Sequence, residues 1–213
     1  MIPFSPPRID QKIIDEVTAA LKSGWITTGP RTKQFEKSIT AYCGNKVTVA
    51  LNSATAGLEL MLRWYGVGQG DEVILPAYTY CATANVVVHC GAKPVFVDVN
   101  KDDFNISVNE IRKAINGKTK VIMPVDFAGI PCDYEQINEL VRENEIKKMF
   151  VAKGENQQKL DRIMVLSDAA HSFGALYKGK VAGNLTDVSA FSFHAVKNLT
   201  TAEGGAVALN FPA

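Results

Sequence analysis

KVTVALNSATAGLELMLRWYGVGQGDEVILP, residues 46–76, decides the fold. It opens on one apolar, β-branched run, KVTVAL (46–51), and closes on another, DEVILP (71–76). Between them lies a helix-forming segment, Thr55–Tyr65. Two parallel strands need a long crossover, and a strand–helix–strand order with short connections supplies one. The same alternation continues downstream. The further strand candidates are KPVFVDV (93–99), KVIMPVDF (120–127), RIMVLSD (162–168), VSAFSF (188–193) and GGAVAL (204–209). Helix candidates Ala82–His89, Val108–Ile115 and Tyr134–Glu145 fill the gaps. Most of the strands are continuously apolar rather than alternating, as in a sheet covered on both faces. The expected architecture is therefore α/β, a three-layer, doubly wound, mostly parallel sheet of seven strands.

Upstream, an amphipathic helix is expected over Asp10–Lys22, ending at Ser23-Gly24. The polar stretch KKMFVAKGENQQKLDR (147–162) reads as a helix end followed by an exposed loop. No internal repeat or low-complexity linker interrupts the chain. It stops at Phe211-Pro212-Ala213, directly after the seventh strand and with no closing element, so a chain cut short is expected.

The totals narrow the function classes. A length of 213 residues is enough for one large domain or two small ones. With 46% hydrophobic residues, 21% charged and a net charge of +1, nothing favours a nucleic-acid or membrane-surface partner. The apolar runs are too short to span a bilayer. The N-terminal MIPFSPPRIDQK lacks the basic-then-apolar pattern of a signal peptide, so a cytoplasmic location is expected. Four cysteines, Cys43, Cys81, Cys90 and Cys132, are scattered without a Cys-x-x-Cys pair. His89 beside Cys90 does not make a zinc site, and reduced, mostly buried thiols are the expectation.

In an open parallel sheet, ligands bind beyond the carboxyl ends of the strands, so the residues after each strand carry the chemistry. After KVTVAL comes Asn52-Ser53-Ala54-Thr55-Ala56 at a helix start. Its free amides and the helix dipole suit a phosphate; the alternative is a plain N-cap by Ser53 or Thr55. After DEVILP comes Ala77-Tyr78-Thr79-Tyr80, where an aromatic either stacks on a flat ring or simply packs. Asp168 closes its strand and is followed by Ala169-Ala170-His171. A carboxylate there needs a positive or hydrogen-bonding partner, or it caps the next turn. His171 either contacts a ligand or is an ordinary hydrogen-bonded histidine. Finally, FSFHAVKNLTTAEGG (191–205) sets one lysine, Lys197, after an apolar run. It is either a surface lysine or an amine whose pKa is lowered by desolvation so that it acts as a nucleophile.

Taken together, a phosphate cradle, a stacking aromatic, a strand-end carboxylate and this lysine are the parts that hold pyridoxal phosphate. The lysine forms the Schiff base, and the aspartate keeps the pyridine nitrogen protonated so that the ring acts as an electron sink. Ser192, five residues before Lys197, offers a hydroxyl to the phosphate.

From Gly24 onward the chain resembles the DegT/StrS-type sugar aminotransferases, of the aspartate-aminotransferase fold (fold type I). The likeness is carried by GWITTGPRTKQFE (24–36), NSATAGLEL (52–60), GDEVILPAYTYCATANVVVHCGAKPVFVDV (70–99), PVDFAG (124–129), SDAAHSFGALYKGKVAG (167–183) and FSFHAVKNLTTAEGGAV (191–207). The resemblance implies that Lys197 is the aldimine lysine and Asp168 the partner of the pyridinium nitrogen. It places His171 near the cofactor's phenolic oxygen, and Ser192, Thr55 and Ala56 at the phosphate. Tyr80 falls at the aromatic that stacks on the ring, and Thr27, Thr28 and Gly29 border the substrate. Ala54 stands where the family usually has glycine, which sets a methyl beside the phosphate.

By the same resemblance, residues 1–30 form an N-terminal helix and substrate-side segment, and 31–213 form a pyridoxal-phosphate-binding large domain. The small C-terminal domain of family members is absent, and a homodimer is implied. The implied reaction transfers an amino group from glutamate to a keto group of a nucleotide-linked sugar, in polysaccharide biosynthesis. Two other readings stand beside it. One is a dehydratase of the same family, against which Lys197 argues, since those relatives carry histidine there. The other is a non-catalytic cofactor-binding or regulatory protein. A plain nucleotide-binding domain lacks support, because no Gly-x-Gly-x-x-Gly or phosphate-loop motif occurs.

Overall fold

The computed structural model describes residue 2 and residues 5–212; Met1, Pro3, Phe4 and Ala213, at the ends of the terminal stretches quoted above, lie outside the described residues. Two helices lead, α1 (Gln11–Lys22) and α2 (Pro30–Cys43). They are followed by β1 (Val47–Leu51), α3 (Ala54–Trp64), β2 (Glu72–Pro76), α4 (Cys81–His89), β3 (Lys93–Val97), α5 (Val108–Ala114) and β4 (Thr119–Ile122). A 3-10 turn, Phe127–Gly129, leads into α6 (Tyr134–Leu140), α7 (Asn144–Met149) and α8 (Glu155–Leu160). Strand β5 (Met164–Asp168), the small hairpin β6 (Leu176–Tyr177) and β7 (Lys180–Val181), then β8 (Val188–Ser192) and β9 (Gly205–Leu209) complete the order.

The main sheet has seven strands in the order β1-β9-β8-β5-β4-β2-β3. Strand β9 runs antiparallel to both neighbours, and the remaining pairs are parallel. This is the three-layer, mostly parallel α/β sheet expected from the sequence. Successive side chains of a strand point to opposite faces, so each central strand feeds two cores. Val73, Leu75, Val121, Leu166 and Val207 pack under α3 and α4, against Leu58, Leu62, Val86 and Val87. Their neighbours Ile74, Ile122 and Val165 pack on the other face, against Ile111, Tyr134, Ile137 and Leu140. A third cluster joins Ile39 and Cys43 of α2 to Phe191, Phe193, Ala206 and Ala208. This double burial is why the strands read as unbroken apolar runs.

Three local readings change. The helix expected over 134–145 is two helices, broken between Leu140 and Asn144. The stretch 147–162 carries α8, because Gln157, wholly buried, donates to the Tyr65 carbonyl (2.9 Å) and Leu160 packs into the core. Helix α2 escaped notice because its turns are polar: only Glu36, Ile39 and Cys43 are buried, although Pro30 opens it and Gly44 closes it in the left-handed region (φ 73°).

Helix α1 is where the sequence put it, capped by Asp10, whose Oδ1 accepts from the Ile13 amide. None of its residues is buried, and Ile13, Ile14, Val17 and Leu21 stand exposed along it. Cys43, Cys90 and Cys132 are buried and Cys81 is exposed, all four as free thiols. Among the described residues no helix is long and apolar enough to cross a membrane.

Candidate active site

Because β1, β5 and β8 are parallel, they end on the same side of the sheet, and antiparallel β9 begins there. Gly205 opens β9, in register with Leu51 on one side and Ser192 on the other. Just beyond it the Ser53–Ala54 turn crosses. A Cβ on Gly205 would lie 2.3 Å from the Ser53 carbonyl carbon and 2.5 Å from the Ala54 nitrogen. Only glycine lets the start of α3 press down on the sheet here.

The result is a cavity of about 680 Å³ at the strand ends. Ser53, Ala54, Thr55, Tyr80, Asp168, His171, Ser192 and Lys197 all line it, so residues from 53 to 197 meet in one place. Ser53 does cap α3: its hydroxyl accepts from the Ala56 amide at 3.1 Å. Ala56 is thus committed to the cap and does not line the cavity. The amides of Ala54 and Thr55, in the first turn of the helix, have no intrahelical acceptor and remain for an anion. The cap therefore leaves untouched the two amides that an anion would need.

Asp168 ends β5 and is nearly buried. Its Oδ2 accepts from the Thr83 hydroxyl (2.8 Å) and its Oδ1 from the Ala170 amide (3.3 Å). Thr83, on α4, is wholly buried and also bonds the Thr79 hydroxyl at 2.8 Å. Burial pushes the Asp168 carboxyl above its ordinary pKa, while Thr83, the Ala170 amide and the charges of His171 and Lys197 pull it back. Lys197 is half-buried on the loop after β8, and its amide donates to the His194 carbonyl (2.9 Å). Burial pushes its amine below the ordinary lysine value, and Asp168 opposes that shift. His171 is held below its usual value first by burial and then by Lys197. Burial thus favours its uncharged form, and the carboxylate of Asp168 opposes that shift.

Tyr80 occupies the N-cap position of α4 and is 77% exposed on the rim. Thr28 lines a neighbouring cavity of about 440 Å³ with Arg31 and Asn52, and Glu203 and Gly204 line both cavities. Thr27 and Gly29 line neither. Gly29 instead makes room for Trp25: a Cβ there would lie 2.2 Å from the indole nitrogen, which donates to the Thr28 carbonyl (3.1 Å).

The sequence reading missed two residues of this region. Thr83 sits inside a helix candidate, where nothing marks it as the partner of a carboxylate 85 residues away. Gly205 was visible only as half of a glycine pair before a strand.

This arrangement fits pyridoxal phosphate. Unpaired amides and Ser192 suit the phosphate, a buried carboxylate suits a ring nitrogen that carries a proton, and an amine of lowered pKa suits the carbonyl carbon. Comparisons with known proteins agree. A profile of the DegT/DnrJ/EryC1/StrS aminotransferase family matches residues 7–150 and 155–213. The chain is 41% identical over 204 residues to the spore coat polysaccharide biosynthesis protein SpsC of Bacillus subtilis, covering 96% of this chain and 48% of that protein. It is 43% identical over 204 residues to the UDP-4-amino-4-deoxy-L-arabinose–oxoglutarate aminotransferase of Shewanella sediminis, again 96% of this chain and 48% of that one. The chain thus spans about half the length of the curated relatives it matches.

Among solved structures, Spr1654 of Streptococcus pneumoniae in its PLP form superposes with a TM-score of 0.95 at 49% identity, over 98% of this chain and 53% of that one. The same protein is also solved in a PMP form. Pyridoxal phosphate is the cofactor of this site. With a profile spanning nearly all its residues and relatives above 40% identity, the chain belongs to the DegT/DnrJ/EryC1/StrS aminotransferase family.

Proposed function

We propose that this chain carries the cofactor-binding part of a transaminase that moves an amino group, taken from glutamate, onto a keto carbon of a nucleotide-linked sugar. The observation that carries the reading is the meeting of Lys197 and Asp168 with the free N-terminal amides of α3 in one cavity. The names of the two curated relatives support the sugar and, for the second, a UDP linkage and an oxoglutarate partner. The second cavity, with Thr28 and Arg31, is assigned to the substrate side.

The roles follow from placement. Ser192 and the amides of Ala54 and Thr55 hold the phosphate, and the exposed ring of Tyr80 covers the pyridine face. Asp168, kept in place by Thr83 and Ala170, holds a proton at the ring nitrogen. Once bound, the cofactor supplies the electron sink for carbanionic chemistry. Lys197, with its pKa lowered by burial, acts as the base that moves a proton at the donor's α-carbon. His171, its pKa lowered by burial, offers a hydrogen bond to the phenolic oxygen. Residues 1–30 are assigned to the substrate side and 31–213 to the cofactor domain. The working unit is a homodimer; the exposed apolar face of α1 supports a covering partner.

Adding L-glutamate to the cofactor-loaded chain tests the reading. One equivalent of 2-oxoglutarate per site is expected, with none from Lys197→Ala. Failure of glutamate and of other common amino donors to yield any keto acid would remove the transaminase assignment.

A further inference from the structure

Three aromatic rings stand together at the cavity, and no role so far uses them. Tyr78, Phe104 and Phe127 pack in a triangle, with centroid distances of 5.5 Å (Tyr78–Phe104), 4.9 Å (Tyr78–Phe127) and 5.7 Å (Phe104–Phe127). Tyr78 and Phe127 line the cavity that holds Lys197 and Asp168. Yet this is not a core: Tyr78 is 51% exposed and Phe104 48%.

The backbone under them is costly. Phe104 lies at φ 60°, in the left-handed region that a bulky L-residue avoids. Three hydrogen bonds hold it there: its amide donates to the Asn100 carbonyl (3.1 Å), the Asn105 amide to Asp103 Oδ1 (2.9 Å), and the Asn100 amide to the Asn105 carbonyl (2.9 Å). Asn105 is nearly fully buried and ties the second ring to the first. Its Oδ1 accepts from the Phe127 amide (3.2 Å), and its Nδ2 donates to the carbonyls of Ile130 (3.1 Å) and Pro131 (3.3 Å). On the far side Gly129, at φ 85°, seats the Phe127 turn against His171, where a Cβ would lie 3.0 Å from the carbonyl oxygen. Phe104 does not itself line the cavity but packs against Tyr78 and Phe127, which do. Folding alone does not explain a strained backbone, fixed by a buried asparagine, that braces two rings lining a cavity. An apolar ligand face does.

We propose that Tyr78, Phe104 and Phe127 form the wall on which the sugar ring of the acceptor lays its apolar C–H face. This rests on the proposed function, since it assumes a keto-sugar acceptor. The keto carbon must come within reach of the cofactor and Lys197, so the ring adjoining the wall is the sugar and not the base at the far end of the molecule. Tyr78 and Phe127 line the cavity of Lys197, braced by Phe104, while Thr28 and Arg31 line the neighbouring one, which leaves the second cavity for the polar remainder.

The test compares UDP-glucose with UDP as probes of the cofactor-loaded full chain, by titration and by saturation-transfer NMR. The wild type is expected to bind UDP-glucose roughly fivefold tighter than UDP, the scale of one aromatic contact. Saturation should reach the pyranose protons of one ring face. In Tyr78→Ala and in Phe104→Gly the advantage falls below about twofold, and Tyr78→Phe restores it. Phe104→Gly also relieves the strained φ, so its melting temperature should hold while its sugar preference is lost. An unchanged preference in these variants, saturation confined to the uracil protons, or no binding of either probe would overturn the proposal. The glutamate half-reaction separates the two readings: keto acid release without a sugar preference rejects the wall alone, and a sugar preference without keto acid release rejects the transaminase alone.

Discussion

The hydroxyl of Thr83 donates to Oδ2 of Asp168 across 2.8 Å, and both groups are buried. A carboxylate withdrawn from water keeps its charge only where donors replace the lost solvent. Thr83 is the strongest such donor at Asp168, and it rides on α4, whose own position is fixed by the packing of Val86 and Val87 under the sheet. Removing the hydroxyl while keeping the shape, Thr83→Val, should raise the Asp168 pKa further. A hydrogen bond to a charged group is worth about 1.5–3 kcal/mol, so cofactor affinity should fall roughly tenfold or more. Titration of the absorbance on adding pyridoxal phosphate reads this directly; affinity equal to wild type would remove Thr83 from the site.

Lys197 is expected to be the point of covalent attachment. After loading with pyridoxal phosphate and reduction with borohydride, peptide mass mapping should find the pyridoxyl group on the peptide that contains Lys197. Lys197→Ala should bind cofactor without retaining it after reduction. Adduct spread over surface lysines such as Lys178 or Lys180, with none at Lys197, would sink the assignment.

Much of this was legible in the sequence, for physical reasons that also mark where legibility ends. The strands β2, β4 and β5 are buried on both faces, and double burial writes an unbroken apolar run that needs no context to read. The order of strand and helix fixed the architecture, and the rule that ligands gather at strand ends pointed to Asp168 and Lys197. Helix α2 was lost because it buries so little that its period is faint. Helix α8 was lost because its buried anchor is Gln157, a polar side chain whose partner is a backbone carbonyl. Thr83 and Gly205 act through contacts that are close in space and distant in sequence. Nothing in their own neighbourhoods distinguishes a helix threonine that meets a carboxylate from one that meets a backbone carbonyl.

Gly205 carries the next prediction. In Gly205→Ala the new methyl carbon would overlap the backbone of Ser53 and Ala54, which cannot swing aside as a side chain can. Overpacking of this kind costs about 1–3 kcal/mol, and the displaced atoms include the turn to which the phosphate is assigned. The variant should lose stability in urea by that amount, and weaken pyridoxal phosphate more than it weakens free pyridoxal, which has no phosphate to misplace. An equal loss for both ligands would mean that the turn had not moved.

Asp126 makes a prediction about pH whose direction is the reverse of that for a salt-bridged carboxylate. It is buried beneath the site: Oδ1 accepts from the Tyr134 hydroxyl (2.5 Å) and the Cys132 amide (3.1 Å), and Oδ2 from the Ser172 hydroxyl (2.5 Å). Burial outweighs these donors and pushes its pKa from 3.8 up to about 6. Between those two values the folded protein keeps a proton that the unfolded chain has released, so stability falls as pH rises through the window. The loss is complete above about pH 6, and two pKa units correspond to about 3 kcal/mol. Asp126→Asn cannot ionise, yet its amide oxygen can still accept from Tyr134 and Cys132. Its stability at pH 7.5 relative to pH 4.5 should therefore exceed the wild-type difference by about 2 kcal/mol in urea unfolding. Identical differences in the two proteins would show that Asp126 is ionised at both pH values, and that its three donors outweigh its burial.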